Sequence, residues 1–176
     1  LYMGLTEKYG TAIIAILIGG GFAFGGIASY SSLVGGSGGN NAGQQDRPEL
    51  PGETFTEGTL DLTTNEKAFL AAQNDVVFAT GYYNTSEDKE RLQAARNVQS
   101  EFGDKMYLNY VNSSQIPPQT QLRQTPAVHL IGAVIQNQRA SPRQNLVYNM
   151  TEQEIASGTC NLIRDLPESA VVYCFS

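Results

Sequence analysis

The sequence has no tryptophan, a single histidine and only two cysteines among its 176 residues. A lone histidine cannot form the His pairs or Cys–His clusters of transition-metal sites, so we predict no metal site and no cofactor. Charge is also sparse, at 16% of residues, and acidic side chains outnumber basic ones to give a net charge of −6. Nucleic-acid binding needs clustered Lys and Arg that displace counterions from phosphates. We therefore expect no nucleic-acid partner.

The two cysteines, Cys160 and Cys174, lie close together in the sequence, but their spacing matches no short CxxC pair of redox or zinc sites. We interpret them as a structural disulfide that forms in an oxidising compartment and contributes about 3 kcal/mol to stability. The alternative is a pair of buried free thiols, since unpaired cysteine is often fully buried.

Charged residues are absent from residues 11–34, which read TAIIAILIGGGFAFGGIASYSSLV. About 20 apolar residues suffice for a helix to cross a bilayer. We therefore predict that residues 1–34 comprise an N-terminal flank and one transmembrane helix, which contacts membrane lipid. Gly21 and Gly25 form a GxxxG pair, which favours packing against a partner helix. A cleaved signal peptide, with small residues around Ala28, is the competing interpretation.

Three N-x-S/T sequons, at Asn84, Asn112 and Asn149, suit a domain that is glycosylated outside the cytoplasm. The distribution of Lys and Arg around the apolar run favours the N-terminus inside. We accordingly expect a single-pass protein of the cell membrane with an extracytoplasmic domain.

The remainder divides into a Gly-, Asn- and Gln-rich linker over residues 35–58 and a folded domain over residues 59–176. TLDL at 59–62 alternates like a strand, and Thr63 with Glu66 forms a capping box that predicts a helix. DVVFATGYY is a predicted strand, and Thr85 begins the next helix. One face of that helix carries the apolar residues Leu92, Ala95, Val98 and Phe102, and Gly103 ends it.

The second half of the domain begins with KMYLNYV, a strand. TPAVHLIGAVIQN and NLVYN then predict a hairpin joined by a turn at RASPRQ. Thr151 and Glu154 form a second capping box, which predicts a helix, and SAVVYCF follows as an extended tail.

This order of β-α-β-α-β, a β-β hairpin and a final helix resembles the thioredoxin-like fold over residues 59–166. Thr125-Pro126, before the strand AVHLI, looks like the cis-proline of that family. The resemblance implies an α/β domain with a mixed sheet flanked by helices. Family members that act as oxidoreductases carry CxxC where a strand meets its helix, but that place reads Tyr83-Asn84-Thr85-Ser86 here. The departure implies that dithiol exchange is lost.

Tyr82, Tyr83, Asn84 and Thr85 lie where family members hold extended peptides beside the cis-proline. Because Tyr is enriched at interfaces, we predict a partner-binding loop at these residues. The sole histidine, His129, falls in a predicted central strand, and we interpret it as a buried, hydrogen-bonded side chain rather than a catalytic base. We predict no catalytic residue.

These observations favour a non-catalytic, membrane-anchored accessory or structural subunit of a larger assembly that binds other protein subunits. One alternative is a folding factor or chaperone related to thiol-disulfide oxidoreductases. The other is a pilin-like filament subunit, in which the apolar helix packs into a filament core.

Overall fold

The computed structural model describes residues 47–116, 122–136 and 139–175, with the backbone alone for residues 135, 136, 139 and 140. The predicted transmembrane segment, including Gly21 and Gly25, lies outside these residues. Over the described ranges, no helix has the length and apolar character needed to cross a membrane.

A mixed five-stranded sheet forms the centre of the domain, with strand order β1-β3-β2-β4-β5. Three strands, β1 to β3, run parallel, whereas β4 pairs antiparallel with β2 and β5 pairs antiparallel with β4. The strands are β1 (Phe55–Glu57), β2 (Val77–Tyr83), β3 (Met106–Asn112), β4 (Ala127–Gln136) and β5 (Arg139–Val147). The α/β class and the mixed sheet are therefore confirmed.

Five α-helices accompany the sheet in the described residues: α1 (Thr64–Asn74), α2 (Ser86–Arg91), α3 (Gln93–Phe102), α4 (Glu152–Cys160) and α5 (Val171–Phe175). The capping box of α1 is confirmed, because the Glu66 N–H donates to Thr63 Oγ1 at 3.3 Å and the Thr63 N–H donates to Glu66 Oε2 at 2.7 Å. Threonine hydroxyls also cap α2 and α4, at Thr85 and Thr151. Each cap satisfies a backbone N–H that has no partner within the helix.

The two faces of the sheet carry separate apolar clusters. One face packs against α3 and α4, with α5 packed on α4, and the predicted inward residues of α3 are fully buried there: Leu92, Ala95, Val98 and Phe102. Burial of a side chain such as Leu92 or Phe102 stabilises the fold by about 2 kcal/mol. The opposite face packs against α1, with Leu70 and Ala71 facing Phe78 and Ile131. Helices therefore cover both faces of the sheet that contains β2 and β4.

The start of the domain differs from the prediction. Residues 59–62 form no strand, and β1 lies instead inside the predicted linker. Parallel pairing with β3 stabilises it, because the Leu108 N–H donates to the Thr54 carbonyl at 2.8 Å and the Gly58 N–H donates to the Tyr110 carbonyl at 2.8 Å. The folded domain therefore includes residues before position 59.

Two further expectations were wrong. RASPRQ is not a turn but part of β5, where Pro142 is accommodated because a sheet edge tolerates a residue without an N–H. The C-terminal SAVVYCF is helical rather than extended, and α5 follows a 3₁₀ turn at Glu168–Ala170. Helical spacing turns Ala170 and Cys174 to the same side, where Ala170 is fully buried and Cys174 reaches Cys160.

Candidate partner-binding site

The end of β2 and the beginning of β4 meet at one edge of the sheet. Tyr82 pairs with Ala127 in the antiparallel register, so the residues that follow β2 lie beside Thr125 and Pro126. The Thr125–Pro126 peptide bond is cis. Pro126 is buried, whereas Thr125 is partly exposed.

A carboxylate connects the end of β2 to α2. Asp88 Oδ2 accepts a hydrogen bond from the Asn84 N–H at 3.1 Å, and the Asp88 N–H donates to Thr85 Oγ1 at 3.1 Å. The polar side chain of Thr125 is the largest influence that lowers the pKa of Asp88, and the backbone N–H groups of Asn84 and Thr85 contribute. Asp88 therefore joins the first turn of α2 to the residues that follow β2.

The predicted binding loop is only partly accessible. Tyr82 is 7% exposed on the central strand β2, so it offers almost no surface to a partner. Tyr83 is half-buried, and the Lys89 ammonium lies 5.6 Å from its ring centroid. Asn84 and Thr85 are exposed, and Asn84 Oδ1 accepts a hydrogen bond from Ser113 Oγ at 2.9 Å. The usable surface consists of Tyr83, Asn84 and Thr85.

The lysine that contacts Tyr83 is itself held in place. Lys89 Nζ lies 2.9 Å from Glu57 Oε1, an ion pair that joins α2 to the edge strand β1. This contact raises the pKa of Lys89 through its hydrogen bond to Glu57. The pair is exposed and adds little to stability. Its effect is to fix a cation beside the Tyr83 ring.

No thiol is present at this edge. Thr85 caps α2, and the first turn supplies Ser86, Glu87 and Asp88. The two cysteines lie elsewhere: Cys160 is the last residue of α4, and its sulfur is at disulfide distance from that of Cys174, with the two Cα atoms 5.7 Å apart. A helix C-terminus disfavours a thiolate, because the macrodipole places partial negative charge there. In the described part of the chain, no group of His, Cys, Asp and Glu could hold a metal ion.

The three sequons differ in accessibility. Asn84 and Asn149 are exposed, and the Asn149 amide donates to Glu154 Oε1 at 3.0 Å. Asn112 is half-buried, and its Oδ1 accepts hydrogen bonds from the Ser114 N–H at 3.0 Å and from the Ser114 hydroxyl at 2.7 Å. Geometry therefore favours Asn84 and Asn149 over Asn112 as positions for a glycan.

His129 lies on β4, opposite Thr80 of β2 and two residues after Ala127. Its ring Nε2 is 3.0 Å from Gln144 Oε1. Burial lowers the pKa of His129, which favours the neutral form of the imidazole.

Sequence reasoning did not predict that Asp88 and Thr125 lie near each other. Thr85 and Asp88 have the spacing of a capping pair, which the sequence shows. The nearness of Thr125 has no local signal, because it depends on the pairing of β2 with β4.

No protein-family model matches the chain, and no curated protein is significantly similar to it.

Proposed function

We propose that this chain is a non-catalytic, membrane-anchored accessory or structural subunit whose thioredoxin-like domain binds partner proteins. The strand order β1-β3-β2-β4-β5, in which β4 runs opposite to the other four strands of the sheet, supports the thioredoxin-like assignment. The same assignment implies that the edge holding Thr85 and Thr125 is where the family holds extended peptides.

One observation carries the proposal. Asp88 joins the residues after β2 to the first turn of α2 through Asn84 and Thr85, and the pairing of Tyr82 with Ala127 brings the segment before β4 alongside, so the surface is held in place although it has no thiol. A carboxylate at a helix N-terminus is stabilised by the macrodipole and by backbone N–H groups, and it cannot act in disulfide exchange. We therefore assign partner binding, rather than disulfide exchange, to the edge that holds Thr85 and Thr125.

The accessible side chains fit such binding. Tyr83 presents a half-buried ring, and the Lys89 ammonium lies 5.6 Å from the centroid of that ring. Asn84 and Thr85 add exposed polar groups at the rim. An aromatic anchor with a polar rim is typical of protein interfaces. The apolar run at residues 11–34 supports the membrane anchor in this proposal.

The test is co-purification of the full chain with its partners from native membranes. Tyr83→Ala removes the anchor, and we expect at least about tenfold lower recovery of partner chains, the equivalent of 1.4 kcal/mol. Tyr173→Ala is the matched control: Tyr173 is also half-buried, but it lies in α5. Circular dichroism of both variants verifies that the fold is retained. Equal recovery of partners with the two variants would contradict the proposal.

A second candidate function is that of a peptide-binding folding factor. It would use the same exposed residues, Tyr83, Asn84 and Thr85, to hold an extended peptide. It would capture unfolded chains without selecting one partner, and Tyr83→Ala would weaken that capture as well. Insulin reduction above background would overturn the first proposal and favour a folding factor related to thiol-disulfide oxidoreductases.

A further inference from the structure

The edge strand β1 leaves main-chain groups free on its outer side. On its inner side, the Thr54 carbonyl accepts a hydrogen bond from the Leu108 N–H of β3. Successive residues of a strand point their main-chain groups to alternate sides, so the N–H and C=O groups of Phe55 and Glu57 point away from β3. Within the described residues, no hydrogen bond uses these outward groups.

The opposite edge of the sheet is protected against further strands. Pro142 lies within β5 and has no N–H, and a proline on an edge opposes the addition of another strand. β1 contains no proline; Phe55 and Thr56 are half-buried, and Glu57 is exposed. An unprotected edge can pair with a strand of another chain. Strand addition to the described sheet is therefore favoured at β1.

Two side chains of opposite charge flank β1 on the α3 side of the sheet. The Arg96 guanidinium lies 3.9 Å from the centroid of the Phe55 ring, and Arg96 Nη1 donates to Gln99 Oε1 at 2.6 Å. No carboxylate pairs with Arg96 in the part of the chain that the structure describes. The Glu57 side chain is 60% exposed, and its carboxylate lies 2.9 Å from Lys89 Nζ. This edge thus presents an exposed anion near a cation that has no anionic partner.

We propose that two copies of this chain associate through β1, with the two strands antiparallel about a twofold axis at Thr56. In this register, Phe55 of each copy forms a hydrogen-bonded pair with Glu57 of the other, which uses all the outward main-chain groups. Directly opposed side chains lie on the same face of a sheet. Glu57 of one copy therefore lies beside the Phe55 ring of the other, next to the Arg96 that stacks on that ring.

The side chains make a second copy the preferred occupant of this edge. A strand of three residues pairs weakly through its main chain alone. Each copy supplies the carboxylate that Arg96 of the other copy lacks, and this reciprocity is what a twofold axis requires. The association concerns the chain by itself and does not depend on the proposed function.

Thr56→Cys tests the register in the purified full chain, with no other protein present. The two copies of residue 56 would face each other as a non-hydrogen-bonded pair with Cα atoms about 4.5 Å apart, a distance that suits a disulfide. Glu57→Cys is the matched control, because the Cα atoms of its two copies would be roughly 8 Å apart, too far for a disulfide. After oxidation with diamide, non-reducing electrophoresis should show about ten times more dimer for Thr56→Cys than for Glu57→Cys.

The control separates this register from other causes of crosslinking. Random collisions would give the opposite order, because position 57 is exposed and position 56 is half-buried. Association through residues 11–34 would bring both variants together equally. The wild type reveals any exchange with Cys160 and Cys174, which are at disulfide distance within one chain.

Two charge reversals test the contact between Glu57 and Arg96. Glu57→Lys and Arg96→Glu are each combined with Thr56→Cys, and each alone should give about tenfold less dimer, because both ion pairs become like-charge contacts. In a mixture, the two variants should form a crosslinked heterodimer with the yield of Thr56→Cys alone, since opposite charges face each other again. Recovery in the mixture cannot arise within one chain.

Two results would overturn the proposal. One is a yield of dimer from Thr56→Cys that is no higher than the yield from Glu57→Cys. The other is a mixture of the charge-reversed variants, both folded by circular dichroism, that gives no more heterodimer than either variant gives homodimer.

Discussion

Asp75 is a buried acid whose replacement has a consequence that can be worked out from its contacts. It lies between α1 and β2, and its carboxylate accepts hydrogen bonds from the Asp165 N–H at 2.9 Å, the Arg164 N–H at 3.0 Å and Arg164 Nε at 3.2 Å. Lys105 Nζ is 3.7 Å away. Burial raises the pKa of Asp75, but the hydrogen bonds from Asp165 and Arg164 outweigh it, so the net pKa is lowered.

Asp75→Asn should lower the free energy of unfolding by about 3 kcal/mol. The amide oxygen can still accept both hydrogen bonds from Arg164, but the NH₂ group then faces the Asp165 N–H. One charge-assisted hydrogen bond is therefore lost and the other two become neutral, together about 3 kcal/mol. The backbone at Asp75 has a φ of 54°, which asparagine adopts readily. The loss therefore reflects the carboxylate and not a strained main chain.

Urea unfolding of the full chain measures this loss, followed by far-UV circular dichroism and tyrosine fluorescence because tryptophan is absent. Asp165→Asn is the control: it makes the same charge change on an exposed side chain of the same segment. Since the folded pKa of Asp75 is lowered, its contribution is fully present above the unfolded pKa of about 3.9 and is lost as pH falls through the folded value. The difference between wild type and Asp75→Asn should therefore shrink in acid. Equal urea midpoints for Asp75→Asn and Asp165→Asn at pH 7 would refute the reasoning.

Two further predictions concern stability. Gly132→Ala should cost about 1–3 kcal/mol in urea unfolding, because the new Cβ would lie 2.7 Å from Leu162 Cβ, whereas Gly52→Ala meets nothing within 4 Å and should be neutral. Replacing both Cys160 and Cys174 by Ser should cost about 3 kcal/mol, since the bond closes a loop with a sequence separation of 14. Wild type treated with reductant should show the same loss, and an unchanged midpoint in both cases would mean that the bond does not stabilise the fold.

The parts of the fold that the sequence predicts well depend on neighbours along the chain. A helix cap is made by residues three positions apart, so Thr63 with Glu66 and Thr85 with Asp88 can be recognised without tertiary information. Helical spacing likewise predicts which side of α3 is buried. These signals set the number and order of most elements, and with them the α/β class.

The errors lie where long-range pairing decides the local conformation. β1 has only three residues, and it forms because β3 pairs with it across about 50 positions of sequence. RASPRQ has the composition of a turn, yet hydrogen bonding to β4 keeps it extended as an edge strand. In both segments the pairing strand overrides the local preference, which is weak for short or polar sequences.

The candidate site also combines features that depend on neighbours along the chain with one that depends on long-range strand pairing. Sequence identifies the residue types at the start of α2, but only the pairing of β2 with β4 brings Thr125 to Asp88. The N-terminus of α2 also carries two acids, Glu87 and Asp88, in its first turn. The partial positive charge that would stabilise an incoming thiolate is thus offset within the chain itself. Under the proposed function, a partner at this edge would be recognised through the shape of Tyr83 and through backbone hydrogen bonds, rather than through attraction of an anionic group.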